Sequence, residues 1–309
     1  MAWLLDKEIR RELPEEWKGI VPTEIFLQEA RNIVEQAGSK GITLRILGGL
    51  GIAIHCIENK EFAQKLGRIG TGAVQGQEYS DLDFMSYSKH RQKVKDLFDG
   101  FGYAKRRATL SSAASERQIY YHPKGWFYVD VFFDKLLVAN HPVSFVQRLE
   151  FDYPTTAVTD LLLEKIQMWE AFSAKDLKDC LLLLKSHDVG ENVDRDKNII
   201  EAGYIASLLA EDWGFWYTAT TNLKKIGRFI LDIERFGKEA GIDPNRIRKE
   251  ELEEITPRIQ RLLETIEQKP KSFKWKMRSR IGTNQRWYNP VERPDTVGGF
   301  GIWETLTQK

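Results

Sequence analysis

The sequence predicts an α+β protein: a mixed sheet with helices, followed by a helical domain. Two observations carry this. Up to Tyr153–Pro154, short apolar runs rich in branched and aromatic residues alternate with glycine and proline punctuation. From Val158 to about Lys269 the apolar positions instead recur at helical spacing. The expected units are residues 1–154, 155–270 and a basic, aromatic C-terminal segment, 271–309.

The elements follow in order. TEIFLQEARNIVEQA (23–37) has helical periodicity, with Thr23 to start it and Gly38 to end it. ITLRIL reads as a buried strand that stops at Gly48–Gly49, and LGIAIHCIE as a helix packed on it. Residues 59–79 are glycine-rich and aperiodic, which predicts a long loop. DLDFMSY alternates as a strand, and Ser88 opens a helix to about Asp99. RQIYYH and WFYVDVFF form a hairpin about the turn signal HPKG (122–125). DLLLEKIQMWEAF, KDLKDCLLLLKSH and NLKKIGRFILDIERFGKEAG are helices of the second unit.

Charge names no partner, because 46 basic residues face 45 acidic ones. Cys56 and Cys180 form no C-x-x-C pair, which argues against a disulfide framework or a zinc site. The first residues lack the pattern of a secretion signal, and no apolar run reaches the ~18 residues of a membrane span. The expectation is a cytoplasmic protein with no membrane partner. His55, His90, His122, His141 and His187 show no metal-ligand spacing, and His55 reads as a core residue. Trp213, Phe215, Trp216 and Tyr217 read as packing at a helix junction.

The acids carry the chemistry. Asp81 and Asp83 lie two apart on a strand, so both side chains share one face. Such a pair repels unless a cation sits between its members or one is protonated. Magnesium meets that need, taking oxygen ligands while leaving positions for phosphate. Asp130 stands inside an apolar strand, where a lone charge needs a partner. Strand-end roles for the pair and a salt bridge for Asp130 remain alternatives. Gly48–Gly49, where a strand turns into a helix, exposes backbone N–H groups suited to phosphate, although a plain tight turn also fits.

The order LGGLGIAIH, YSDLDF, YVDVFF resembles the nucleotidyltransferase superfamily of polymerase-β-like fold. That resemblance covers roughly residues 40 to 135. It implies that Gly48, Gly49 and Ser80 hold a triphosphate, and that Asp81, Asp83 and Asp130 bind Mg2+ or Mn2+ and are catalytic. The segment LLLEKIQMWEAFSAKDLKDCLLLL is similar to the region that follows the catalytic domain in AbiEii-type toxin nucleotidyltransferases. The matching residues are Glu164-Lys165, then Lys175, Asp176 and Asp179. By that likeness Lys165, Asp176 and Asp179 join the nucleotide site, and an antitoxin partner is implied.

In KSFKWKMRSRI, apolar residues alternate with Lys274, Lys276, Arg278 and Arg280. This predicts a strand with one basic face, either a polyanion contact or a charge-guarded edge. The implied activity moves a nucleoside monophosphate from a nucleoside triphosphate to an acceptor hydroxyl on RNA, protein or a small molecule. The alternatives are a catalytically inactive binding protein of the same fold and an RNA-binding module.

Overall fold

The computed structural model describes residues 12–68, 77–106, 117–137, 140–170, 172–191, 198–290 and 306. Its first half contains α1 (Thr23–Ser39), β1 (Leu44–Ile46), α2 (Gly48–His55), α3 (Lys60–Lys65) and β2 (Asp81–Ser86). Next come α4 (Arg91–Gly100), β3 (Ala104–Lys105), β4 (Arg117–Tyr121), β5 (Tyr128–Phe133), β6 (Lys135–Leu136) and β7 (Val143–Ser144). The sheet order is β1-β2-β5-β4-β3, with β6 on β5 and β7 on β6. β2 and β5 run parallel and the other pairs antiparallel, so the sheet is mixed. The His122–Gly125 turn forms as expected, with the Gly125 N–H bonded to His122 O at 2.8 Å. Within residues 59–79, read as loop, Lys60–Lys65 is helical, while 69–76 lie outside the described residues.

Alternation gives the sheet two different faces. Leu82, Phe84, Val129, Val131 and Tyr120 meet Phe26, Ile33, Val94 and Phe98 in one core. The α1 side of that core is an i, i+4, i+7, i+8 stripe of Phe26, Ala30, Ile33 and Val34. On the other face Met85 and Phe132 join Leu47, Ile52 and the helices that follow. Asp81, Asp83, Tyr128 and Asp130 occupy the beginning of this second face.

The second half contains α5 (Val158–Ile166), α6 (Ala174–Ser186), β8 (Asp188–Gly190), β9 (Ile199–Glu201), α7 (Ala202–Glu211) and α8 (Trp213–Leu231). After these come α9 (Ile233–Phe236), α10 (Lys249–Glu253), α11 (Thr256–Gln268) and α12 (Phe273–Ser279). It is not helical throughout, because β8 and β9 pair in parallel as a separate two-stranded sheet. The chain passes position 154 without a break in packing: Ile46 N–H bonds to Pro154 O at 3.0 Å, and Thr155 bridges to Ile46. Leu47, Ile52, Met85 and Phe132 share one core with Leu161, Leu181, Leu223 and Leu262. The second unit is therefore fixed against the acidic face of the sheet.

The expected strand at 271–281 is a correction, since α12 is a helix there. Ser272 accepts the Trp275 N–H at 3.2 Å as its cap, and Trp275 packs edge-on against Trp216 at 5.1 Å. Docking of that aromatic on α8 outweighs the period-two alternation.

Candidate functional site

The site begins where β1 ends. Leu47 stays extended and donates its N–H to Asp83 O at 3.0 Å, and Gly48 then opens α2 with φ +69°. A side chain at Gly48 is excluded twice, by that backbone and because a Cβ would lie 2.6 Å from Asp83 Oδ2. At Gly49 a Cβ would lie 2.6 Å from an Arg68 guanidinium nitrogen and 3.6 Å from Lys175 Cε. The glycine turn thus touches β2, α6 and the segment after α3. Gly48 N–H donates to Glu164 Oε2 on α5 at 3.1 Å.

The carboxylates come together through strand register. Asp83 pairs with Asp130 and Asp81 with Tyr128 across the parallel β2–β5 ladder, so all four side chains share a face. Ser80 Oγ donates to Asp81 Oδ1 at 3.0 Å. Burial, then Asp81, Asp130 and Glu164, raise the Asp83 pKa well above the usual carboxylate range, and Lys175 partly opposes them. Asp130 is pushed up to about 7, by burial first, with Arg117 pulling it back. Arg117 Nη1 holds Asp130 Oδ2 at 3.0 Å, while Asp130 Oδ1 is buried without a hydrogen bond among the described residues.

This donor set suits a hard divalent cation: clustered carboxylate oxygens, one of them unsatisfied, in a place that resists ionisation. The donor chemistry is the only point in favour: among the described residues no three acidic, histidine or cysteine side chains are grouped so that they could hold a metal ion, and Asp130 is tied to Arg117 in a salt bridge.

Behind the turn lies a buried ionic cluster. Lys165 Nζ is 3.4 Å from Glu164 Oε1, 3.4 Å from Asp176 Oδ1 and 3.3 Å from Asp179 Oδ2. Burial works against its charge, but Glu164, Asp179 and Asp176 together hold its pKa well above the normal lysine value. Asp179 is fully buried and also takes Arg68 Nε at 2.5 Å. Although burial opposes its ionisation, Arg68, Lys165 and Lys175 keep its pKa below the usual range. Asp176 has a second task, because its Oδ2 accepts the Ser173 N–H at 3.0 Å in a capping box that starts α6.

The structure therefore gathers Gly48, Gly49, Ser80, Asp81, Asp83, Asp130, Lys165, Asp176 and Asp179 around one glycine turn. Asp176 and Asp179 face the cations Lys165 and Arg68. Three participants carry no assigned task from the sequence. Glu164 and Lys175 match the helical motif without a stated role, and Arg68 falls in the segment 59–79 read as loop. The signal for Lys175 was its helical spacing to Asp179, one turn away. For Arg68 only distant pairing reveals the role.

The basic residues of 271–281 stand apart. Lys274, Lys276 and Arg280 are exposed on and just after α12, as is the apolar Phe273. Arg278 instead lies over the Trp213 ring at 4.8 Å and donates to Gly282 O at 2.7 Å. A single basic face is not present. Trp213, Trp216 and Tyr217 pack with Trp169, Trp275 and Trp287, as the junction reading expects. His55 is largely buried, but Nε2 meets Asp152 Oδ2 at 3.0 Å and Thr155 Oγ1 at 2.9 Å. Both contacts fall on one nitrogen, which is not the two-sided relay of a nucleophilic triad. Cys56 and Cys180 are free and buried. No helix among the described residues is long and apolar enough to cross a membrane. No family model, curated protein or solved structure matches the chain.

Proposed function

We propose that the chain is a nucleotidyltransferase, moving a nucleoside monophosphate from a nucleoside triphosphate to an acceptor hydroxyl. The observation that carries this reading is the register of Asp83 with Asp130 beside a glycine turn whose Gly48 abuts Asp83. Phosphate recognition and carboxylate chemistry would thereby share one small volume. Asp81 and Asp83 would hold magnesium or manganese, with Asp130 completing the shell, and the metal would supply charge neutralisation for the transferring phosphoryl group.

The remaining tasks belong to the chain itself. Backbone N–H groups at Gly48 and Gly49 bind triphosphate oxygens, because the first N–H groups of a helix lack intrahelical partners. Lys175, against Gly49, adds a positive charge beside them. Lys165 provides a second cation when its acid partners give way. Asp130 Oδ1, without a hydrogen bond among the described residues, would accept the proton of the acceptor hydroxyl.

The test is incubation of the protein with each α-labelled nucleoside triphosphate, magnesium, and total cell RNA or protein. Label should appear on one acceptor class and vanish with Asp83→Asn. Absence of label from every acceptor, together with absence of triphosphate binding, overturns the reading.

A further inference from the structure

The position that the proposed function gives to a phosphate oxygen already holds a carboxyl oxygen, and that carboxyl belongs to the protein. Glu164 Oε2 takes the Gly48 N–H at 3.1 Å, while Oε1 lies 3.4 Å from Lys165 Nζ. One carboxylate thus spans the amide and the cation that a triphosphate would bridge. We propose that Glu164 is a built-in competitor for the phosphate cradle, displaced when triphosphate enters and returning as pyrophosphate leaves. The inference rests on the nucleotidyltransferase reading.

Two features argue against a purely structural contact. First, the Gly48 amide needs only one acceptor, and a neutral carbonyl or amide oxygen would satisfy it without adding charge. A carboxylate here stands beside Asp81, Asp83 and Asp130, and it is one of the groups that oppose ionisation of Asp83. Second, Lys165 does not depend on Glu164 alone, since Asp176 and Asp179 also hold it. The Glu164 side chain can move without leaving a buried lysine unpaired.

The consequence is a threshold. A ligand that uses the Gly48 amide binds only the fraction of molecules in which Glu164 has withdrawn, so its apparent affinity falls by that fraction. The weakening is the same for every ligand that needs the cradle. It also favours product exit, because the carboxylate competes for the amide once pyrophosphate loosens. Glu164 is in this sense a positioning residue of the cradle, touching the groups that touch substrate.

The experiment is calorimetric titration of magnesium with inorganic tripolyphosphate, and separately with a non-hydrolysable nucleoside triphosphate, into wild type and Glu164→Gln. Glutamine keeps the shape and removes the charge. Both ligands should bind about tenfold more tightly to the variant, the order of a charge-assisted contact given up. Equal or weaker binding by the variant, with wild type binding normally, overturns the inference and leaves the function standing. No binding to either protein overturns the function and the inference together. A second measurement serves if the variant does not fold. In wild type, saturating tripolyphosphate should shift the carbon resonance of the Glu164 side-chain carboxylate and the amide resonance of Gly48. A shifted Gly48 amide with an unmoved Glu164 carboxylate contradicts displacement.

Discussion

Acids and cations are packed so closely at the glycine turn that each residue's behaviour is set by its neighbours. Asp83 shows this best: burial and three nearby acids disfavour its charge, with Lys175 opposing them. Replacing it by asparagine removes repulsion while keeping shape. Asp83→Asn should therefore raise unfolding stability in metal-free buffer by about 1 kcal/mol, the scale of relieving repulsion at a half-buried acid. A lower melting temperature would show that Asp83 is a structural partner instead. A second residue fixes a pH response. His141 is buried, stacked on Phe215 at 5.1 Å, with Nε2 2.9 Å from Thr218 Oγ1, and burial lowers its pKa to about 4. Its unfolded value is the higher one, near 6.5, so the unfolded chain takes up the proton first. The stability that neutral His141 contributes is present above about pH 6.5 and is lost as pH falls toward 4, by roughly 3 kcal/mol. Denaturant melts at several pH values should show that decline, and His141→Gln should flatten it. Identical slopes would assign acid sensitivity to other groups. Asp81, Asp83 and Asp130 were legible in the sequence because two-residue spacing and a charge in an apolar strand are local signals. The contact of Glu164 with Gly48 was not, because its two ends lie 116 positions apart.

At the level of elements, β2 could be read from alternation and β5 from its aromatic, branched run beside the HPKG turn, and their parallel register is what aligns Asp83 with Asp130. Short elements escaped. β8 and β9 are three residues each, too brief to show a period. In and just after α12, Phe273, Met277 and Ile281 fit both an alternating and an i, i+4 pattern, so spacing alone does not decide. Capping by Ser272 and the Trp275–Trp216 contact decide for helix. The outcome divides the basic residues into two kinds. Changing Lys274, Lys276 and Arg280 to glutamate should leave the melting temperature nearly unchanged, since exposed charges contribute little. Arg278→Ala should cost about 1–2 kcal/mol, through its ring contact and its bond to Gly282 O. Equal effects from the exposed trio and Arg278 would mean that α12 is not docked as described. If the acceptor is RNA, the triple change should also flatten the salt dependence of binding.

Across the whole molecule, the helices are not an appendage to the sheet. The core that contains Met85 and Phe132 continues through Leu161, Leu181 and Leu262, and the buried Arg68–Asp179 ion pair crosses the same junction. Composition marked a change of texture near residue 154 but not this continuity, because packing between distant segments has no local signature. Arg68 tests the junction. Arg68→Ala leaves the fully buried Asp179 with Lys165 but without its closest cation, and should cost roughly 3 kcal/mol. A loss below about 0.5 kcal/mol, the range of ordinary surface substitutions, would show the pair to be dispensable. The junction matters to the proposed function because it brings Glu164, Lys165 and Lys175 from the helices to the acids and glycines of the sheet. That convergence is best tested by thermal unfolding with magnesium and a non-hydrolysable nucleoside triphosphate. A ligand at 100 times its Kd stabilises the native state by about 2.7 kcal/mol. Wild type should gain a stabilisation of that order. Asp83→Asn, though more stable without ligand, should gain little. An equal gain in both proteins, or none in wild type at millimolar triphosphate, would contradict a triphosphate site at Asp83.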